Sequence, residues 1–218
     1  MKIRGFTIGP LETNAYLVVD DGSRQAVLID PGLESEGIYD VIHREGLELS
    51  AIVNTHGHFD HVCGNAFFKA KTGAPILIHQ ADVAMMRQAA QQAVTFGFQV
   101  PTPPTPDRVL TEGDDVVVGE HRMRVLHTPG HTPGGICLYE EGIAFVGDTL
   151  FAGSIGRTDL GGGSLEVLLA SIRSKLLSLP DKTAVYPGHG PPTTIGEERV
   201  SNPFLSGRGG TPLLLFDA

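Results

Sequence analysis

The segment Thr55-His56-Gly57-His58-Phe59-Asp60-His61 sets three imidazoles and a carboxylate within six consecutive positions. Such groups make poor packing material, because each one buried needs a partner. A fold must therefore leave the segment as a solvated turn or bring its side chains to a common point. The flanking sequence favours convergence. Ala51-Ile52-Val53 reads as a short buried strand that delivers the chain directly to Thr55-His56. In an extended segment His56 and His58, two apart, point to one side. Gly57 leaves room for the backbone to bend around an ion. Asp60 and His61 come at the following turn, where a helix begins, and face a neighbouring point. One cluster so arranged supplies two ligands to each of two adjacent metal ions. Imidazole and carboxylate together suit zinc, with iron or manganese as the alternatives.

Four ligands shared by two metals leave both short, and three later residues complete them. His131 lies in the Gly/Pro-shaped loop His127-Thr-Pro-Gly-His-Thr-Pro-Gly-Gly135, after a strand at Met123–Leu126. Asp148 follows a strand at Ile143–Val146, and His189 follows one at Ala184–Tyr186. All three stand just past the carboxyl end of a strand, where α/β sheets place their functional groups. Any one alone reads as an ordinary loop residue; their shared placement makes the case.

The rest of the chain supplies a frame for these positions. Phe6–Ile8, Ala15–Val19 and Ala26–Ile29 read as strands, the last stopped by Asp30-Pro31-Gly32. Ile38, Val41 and Ile42 have helical spacing, with Gly46 as a stop. A helix is expected from about His61 to Lys71, a strand at Ile76–Ile78 and a second helix over Ala81–Gln92. The second half repeats this grammar, with strands at Val116–Val118, Met123–Leu126, Ile136–Tyr139 and Ile143–Val146. Glu140-Glu141-Gly142 links the last two as a hairpin turn. Ser164 caps a long helix whose stripe Leu165, Leu168, Leu169, Ile172, Leu176 and Leu179 ends at Pro180. Val100–Pro106 forms a stiff loop. Strands in runs with helices between them require sheets covered by helices, hence a layered α/β sandwich in a single domain spanning 1–218. Residues 206–218 read as a Gly-rich hinge before a docked or frayed end.

Composition narrows the function. With 16 basic against 25 acidic residues the net charge is -9, which argues against nucleic-acid binding. Two cysteines, Cys63 and Cys137, suit a reducing compartment. With no signal-peptide pattern and no membrane-length apolar run, a cytoplasmic protein without membrane contact is expected. The sequence carries no G-x-S-x-G elbow, P-loop or H-E-x-x-H helix. Its oligomeric state is not legible.

The seven-residue set resembles the metallo-β-lactamase superfamily, with its His-x-His-x-Asp-His motif followed by His, Asp and His. The likeness runs from Asp30-Pro31-Gly32 to His189 and on to Asn202-Pro203-Phe204, and is greatest to short glyoxalase II-like proteins. It implies a four-layer αββα sandwich with the site at one edge of the sheets. It implies a first metal on His56, His58 and His131, a second on Asp60, His61 and His189, and Asp148 as the bridge. The β-lactamases commonly carry cysteine where this chain has Asp148, which disfavours antibiotic hydrolysis.

The implied activity is hydrolysis of a small-molecule thioester, S-lactoylglutathione or a related glutathione thioester, to D-lactate and free thiol. Two metals about 3.5–4 Å apart lower the pKa of a shared water to roughly 7, and Asp60 is placed to orient the nucleophile. Full-length glyoxalase II enzymes grip glutathione with a basic C-terminal helical extension. Here 29 residues follow His189, with only Arg199 and Arg208 basic. That departure predicts weak glutathione binding or a different thiol, with Phe96–Pro106 as a candidate pocket wall. Arg157, in Gly153-Ser-Ile-Gly-Arg-Thr-Asp159, has two equal readings: orienting a substrate carboxylate, or bracing the site by an ion pair. Cys63 is expected to pack beneath the motif, His127 to lie near the site or exposed, and His43, His79 and His121 to stand apart. Alternatives on the same scaffold are a one-iron persulfide dioxygenase, with closely similar motifs, and a lactonase or other esterase. A non-enzymatic metal-binding module is the alternative of another class.

Overall fold

Strands that are apolar on both sides dictate the architecture. The computed structural model describes residues 1–206; the tail expected to be Gly-rich lies, from 207 onward, outside the described residues. The first sheet contains β1 (Lys2–Ile8), β2 (Thr13–Val19), β3 (Gln25–Ile29), β4 (Glu48–Asn54), β5 (Ile76–His79) and β6 (Arg108–Leu110), paired in chain order. β1–β2–β3 pair antiparallel, and β3 through β6 pair parallel. Alternate residues of β2 enter different cores: Ala15, Leu17 and Val19 face one, Tyr16 and Val18 the other. β3, β4 and β5 divide in the same way, so both faces of the sheet need cover.

Helices α1 (Glu36–Arg44), α3 (Asn65–Thr72), α4 (Val83–Arg87) and α5 (Ala89–Thr95) provide it on one side. They bury Ile38, Ile42, Phe68, Met86 and Ala93 against the sheet. A second sheet covers the other side. It holds β7 (Asp115–Val118), β8 (His121–His127), β9 (Ile136–Glu140), β10 (Ile143–Gly147), β13 (Ala184–Pro187) and β14 (Thr193–Thr194), in the order β14-β13-β10-β9-β8-β7. Val27, Ile29, Val53 and Leu77 meet Val116, Met123, Val125, Leu138 and Phe145 between the sheets. β11 (Leu150–Phe151) and β12 (Ser154–Ile155) make a separate hairpin. On the outer face α6 (Leu165–Ser171) and α7 (Ile195–Ser201) bury Leu168 and Ile195. The four layers are the expected αββα sandwich. Among the described residues no helix is long and apolar enough to cross a membrane.

Three helices differ from expectation. The single helix from His61 to Lys71 is two, α2 (Phe59–Val62) and α3, broken at Cys63-Gly64. Gly64 N–H donates to the Pro31 carbonyl at 2.8 Å, pulling the chain out of a continuous helix. The helix over Ala81–Gln92 begins as a 3₁₀ turn, Gln80–Asp82, and changes course at Gln88 between α4 and α5. The stripe from Leu165 passes into a π turn at Ile172–Leu176, where Leu177 N–H bonds to the Ile172 carbonyl at 2.9 Å. Ser164 does cap this element, its hydroxyl accepting from Val167 N–H at 3.4 Å. Sequence periodicity left β6, β11, β12, β14 and α7 unread.

Candidate metal centre

The carboxyl ends of β3, β4, β8, β10 and β13 meet at one edge of the sandwich. There the two sheets are stitched together by main chain: Thr13 bridges His189, and Asn14 N–H donates to the Gly188 carbonyl at 2.7 Å. Tyr16 adds a hydroxyl bond to the Pro187 carbonyl at 2.6 Å. Past β4 the chain bends at Thr55 and His56, and His58, itself extended, leads into α2. Asn54 folds that turn back, its amide donating to the His61 carbonyl at 3.0 Å.

All seven expected residues converge. His56, His58 and His131 form one group and Asp60, His61 and His189 another, with the ligand atoms of each within 4.8 Å of one another. In the first, His58 Nδ1 lies 2.9 Å from His131 Nε2. In the second, Asp60 Oδ2 is 3.4 Å from His61 Nε2 and 3.3 Å from His189 Nε2. Asp148 stands between them: its Oδ2 is 3.5 Å from His131 and 3.7 Å from His189, and its Oδ1 is 3.5 Å from His61.

Hydrogen bonds to the far side of three of the five rings fix which nitrogen faces inward. Thr55 Oγ1 donates to Asp30 at 2.6 Å, so at 3.1 Å it accepts from His56 Nδ1 and leaves Nε2 with its lone pair. His131 Nδ1 donates to the Arg157 carbonyl at 2.7 Å, and His61 Nδ1 to Asp30 at 3.1 Å. Both therefore turn Nε2 to the centre. His56 Nε2 and Asp148 Oδ1 are buried and have no hydrogen-bond partner. Buried acceptors of that kind are costly unless a cation meets them. Close backbone approach supports the same fit: a Cβ on Gly188 would lie 2.2 Å from Asp148 Oδ1 and 2.8 Å from the His61 ring.

The electrostatics agree. Burial, reinforced by neighbouring imidazoles, drives His56 well below the ordinary histidine range and His58 down to about 3, so both rings are neutral. Burial would raise Asp60, but His61 and His189 outweigh it and hold the carboxyl well below its usual range. Burial would lower His61, yet Asp60, Asp148 and Asp30 raise it well above. Three carboxylates thus hold a proton on His61, in a place where a divalent ion could supply the positive charge instead. The His/Asp groups suit a dinuclear metal centre.

Sequence reasoning passed over two buried carboxylates. Asp30, taken only as a strand stop, has φ 50° and accepts from Thr55 N–H at 2.7 Å as well as from His61. Its place just past β3 matches that of the ligands, and this was the available signal. Asp82 accepts from Gly57 N–H (2.9 Å), Thr132 Oγ1 (2.7 Å) and Gly134 N–H (2.6 Å). It thereby ties the His56–His58 loop to the His131 loop. Burial pushes its pKa up. Nothing in the pattern of Ala81–Gln92 marked it.

A cavity of about 380 Å³ opens onto the centre, touching His58, Asp60, His131, Asp148 and His189. Of the segment Phe96–Pro106 only Phe96 lines it. Arg157 lines it too; its guanidinium makes two 2.7 Å bonds to Asp159, and its carbonyl orients His131. Cys63 is buried, its Sγ bonded to the Phe59 carbonyl and its thiol pushed up to about 12 by burial. His127 stacks on His79 at 4.1 Å, outside both groups. His43 is exposed on α1, and His121 pairs with Glu140 at 2.9 Å.

Residues 8–189 match the profile of the metallo-beta-lactamase superfamily. The chain belongs to that superfamily. Within it, the chain is 39% identical over 212 residues to hydroxyacylglutathione hydrolase GloC of Haemophilus influenzae, covering 95% of this chain and 100% of that protein. The structure of TTHA1623 in a di-iron-bound form superposes with a TM-score of 0.85 at 44% identity, covering 93% of this chain and 100% of that one. BLEG-1 B3 metallo-beta-lactamase gives 0.89 at 39%, covering 94% and 100%. The mitochondrial persulfide dioxygenase ETHE1 of Bos taurus is 33% identical, over 89% of this chain and 72% of its own.

Proposed function

We propose that this metallo-β-lactamase-fold metallo-hydrolase cleaves thioesters, as a glyoxalase II-like enzyme acting on S-lactoylglutathione or a related glutathione thioester. The observation that carries the reading is the composition of the cavity around the centre. Its titratable lining among the described residues consists of the five metal-site residues and Arg157, so none of the described lining residues is a separate general acid ready to protonate a leaving group. A thiolate, with a solution pKa near 8.5, leaves without one. In the reaction water adds its oxygen to the acyl carbon, the C–S bond breaks, and the products are a carboxylic acid and a thiol.

His56, His58 and His131 would hold one divalent ion and Asp60, His61 and His189 the other, with Asp148 shared; zinc suits this donor set, and iron or manganese are alternatives. Ions held there supply Lewis acidity toward the carbonyl and acidify water toward neutrality. The chain's own residues position these parts. Asp60 faces the cavity beside His189 and accepts from Thr13 Oγ1 at 3.4 Å, where it can orient an attacking water. Asp30 and the Arg157 carbonyl hold His61 and His131 in register.

Metal content and S-lactoylglutathione hydrolysis, measured on one preparation, test the proposal. About two ions per chain with thiol release is the expected result. Full activity in a folded, metal-loaded His58→Ala or Asp148→Ala protein would remove it. The likeness to ETHE1 makes a persulfide dioxygenase the second reading; one iron per chain and oxygen consumption with glutathione persulfide would establish it. Lactones and a β-lactam in the same panel cover the other acyl substrates, and inertness toward all of them would leave a metal-binding module.

A further inference from the structure

We infer that the thioester this enzyme prefers carries an apolar aliphatic or aryl acyl group. The inference rests on the thioesterase reading and specifies its substrate. Beyond the metal-site residues, the cavity is walled chiefly by Leu11, Phe96, Phe151, Leu160, Leu165 and Phe204. These come from the β1–β2 turn, the end of α5, the β11 strand, the loop between β12 and α6, the start of α6 and the segment after α7. Six separate parts of the chain thus place an apolar side chain at one opening. Two of them stand well out in solvent, Phe96 at 43% and Leu165 at 40% relative exposure. A concave, partly exposed apolar wall beside a polar centre is the general form of a small-molecule site whose ligand has an apolar body and one reacting polar group.

Two polar groups of the wall are already committed. Gln92 Oε1 accepts from Phe59 N–H at 3.0 Å, and the Arg157 guanidinium bonds both oxygens of Asp159. Arg157 is the one cationic side chain among the described lining residues other than histidine. A carboxylate-bearing acyl group entering here would lose hydration and meet a guanidinium already neutralised by Asp159. A hydrocarbon chain would lose only contact with water, which is favourable.

The test varies the acyl group at constant thiol. S-acetyl-, S-butyryl-, S-hexanoyl- and S-lactoylglutathione are given to the metal-loaded full-length protein, and release of glutathione is followed. kcat/KM should rise about threefold to fourfold per methylene as the chain enters the cavity, with hexanoyl well above lactoyl. Phe96→Ser and Leu165→Ser should each cut the hexanoyl-to-acetyl ratio of kcat/KM at least threefold. A flat or falling profile, or a ratio untouched in both variants, overturns the inference. So does a rate that follows the hydrophobicity of the thiol, varied at constant acetyl, and ignores the acyl group. S-lactoylglutathione hydrolysis with a flat acyl profile would defeat this inference and leave the thioesterase reading standing. No thiol release from any thioester would defeat both.

Discussion

Asp82 shows how one side chain governs several others. Its carboxylate collects three donors from two loops that carry three of the histidines, and it touches none of the seven clustered residues through a hydrogen bond. Replacing it by alanine strands buried donors, each worth about 1–3 kcal/mol when left unpaired. Asp82→Ala should lower the melting temperature by roughly 5–15 °C, given about 2–4 °C per kcal/mol at this size. Groups that orient metal ligands typically alter affinity or activity by about 10–100-fold, so the variant's metal content should fall as well. Calorimetry and metal analysis check both; an unchanged melting curve would mean that the loops hold themselves. At this scale the seven candidate ligands were legible because imidazole and carboxylate are conspicuous at strand ends. Asp30 and Asp82 were not, because their role depends on where two loops pass each other in space.

Elements were legible where one period ran uninterrupted. β2, β3 and β4 announce themselves as aliphatic runs, and Gly46 ends α1 with φ 58°. The α2–α3 break was illegible because its cause is distant in sequence: the Pro31 carbonyl and the Ser35 hydroxyl occupy the space beside Gly64. A Cβ there would lie 2.5 Å from each. Overpacking of a tight site costs about 1–3 kcal/mol, so Gly64→Ala should lower the melting temperature by several degrees. Because Asp60 and His61 sit on α2, the shift should also weaken metal retention. Thermal melts in the presence and absence of metal would read both effects. The π turn at Ile172–Leu176 was hidden for another reason: one residue inserted into a helix leaves the apolar stripe almost unchanged.

The whole molecule joins two sheets whose pairing no local pattern announces. β6 follows a proline-rich loop and has three residues, and β14 has two; their existence depends on neighbours already in place. The layered class was legible all the same, since strands buried on both faces admit few other arrangements. His56, His58, Asp60 and His61 belong to the first sheet's edge and His131, Asp148 and His189 to the second's. An ion bound between them therefore stabilises the folded state. At a thousandfold excess over its dissociation constant the gain is about 4 kcal/mol. Chelation should accordingly lower the melting temperature by roughly 10 °C, reversibly on adding metal back. A melting curve indifferent to chelator would place the ions elsewhere.

The chain finishes one sheet at Leu110 and opens the next at Asp115, passing between them only once in its described course. A cut near Gly113 would thus yield one fragment with four of the seven candidate ligands and another with three. Neither piece owns a complete reaction centre. On the proposed function, chemistry would be a property of the seam, and turnover would report that both fragments had found each other, as a lock opens only when two keys turn together.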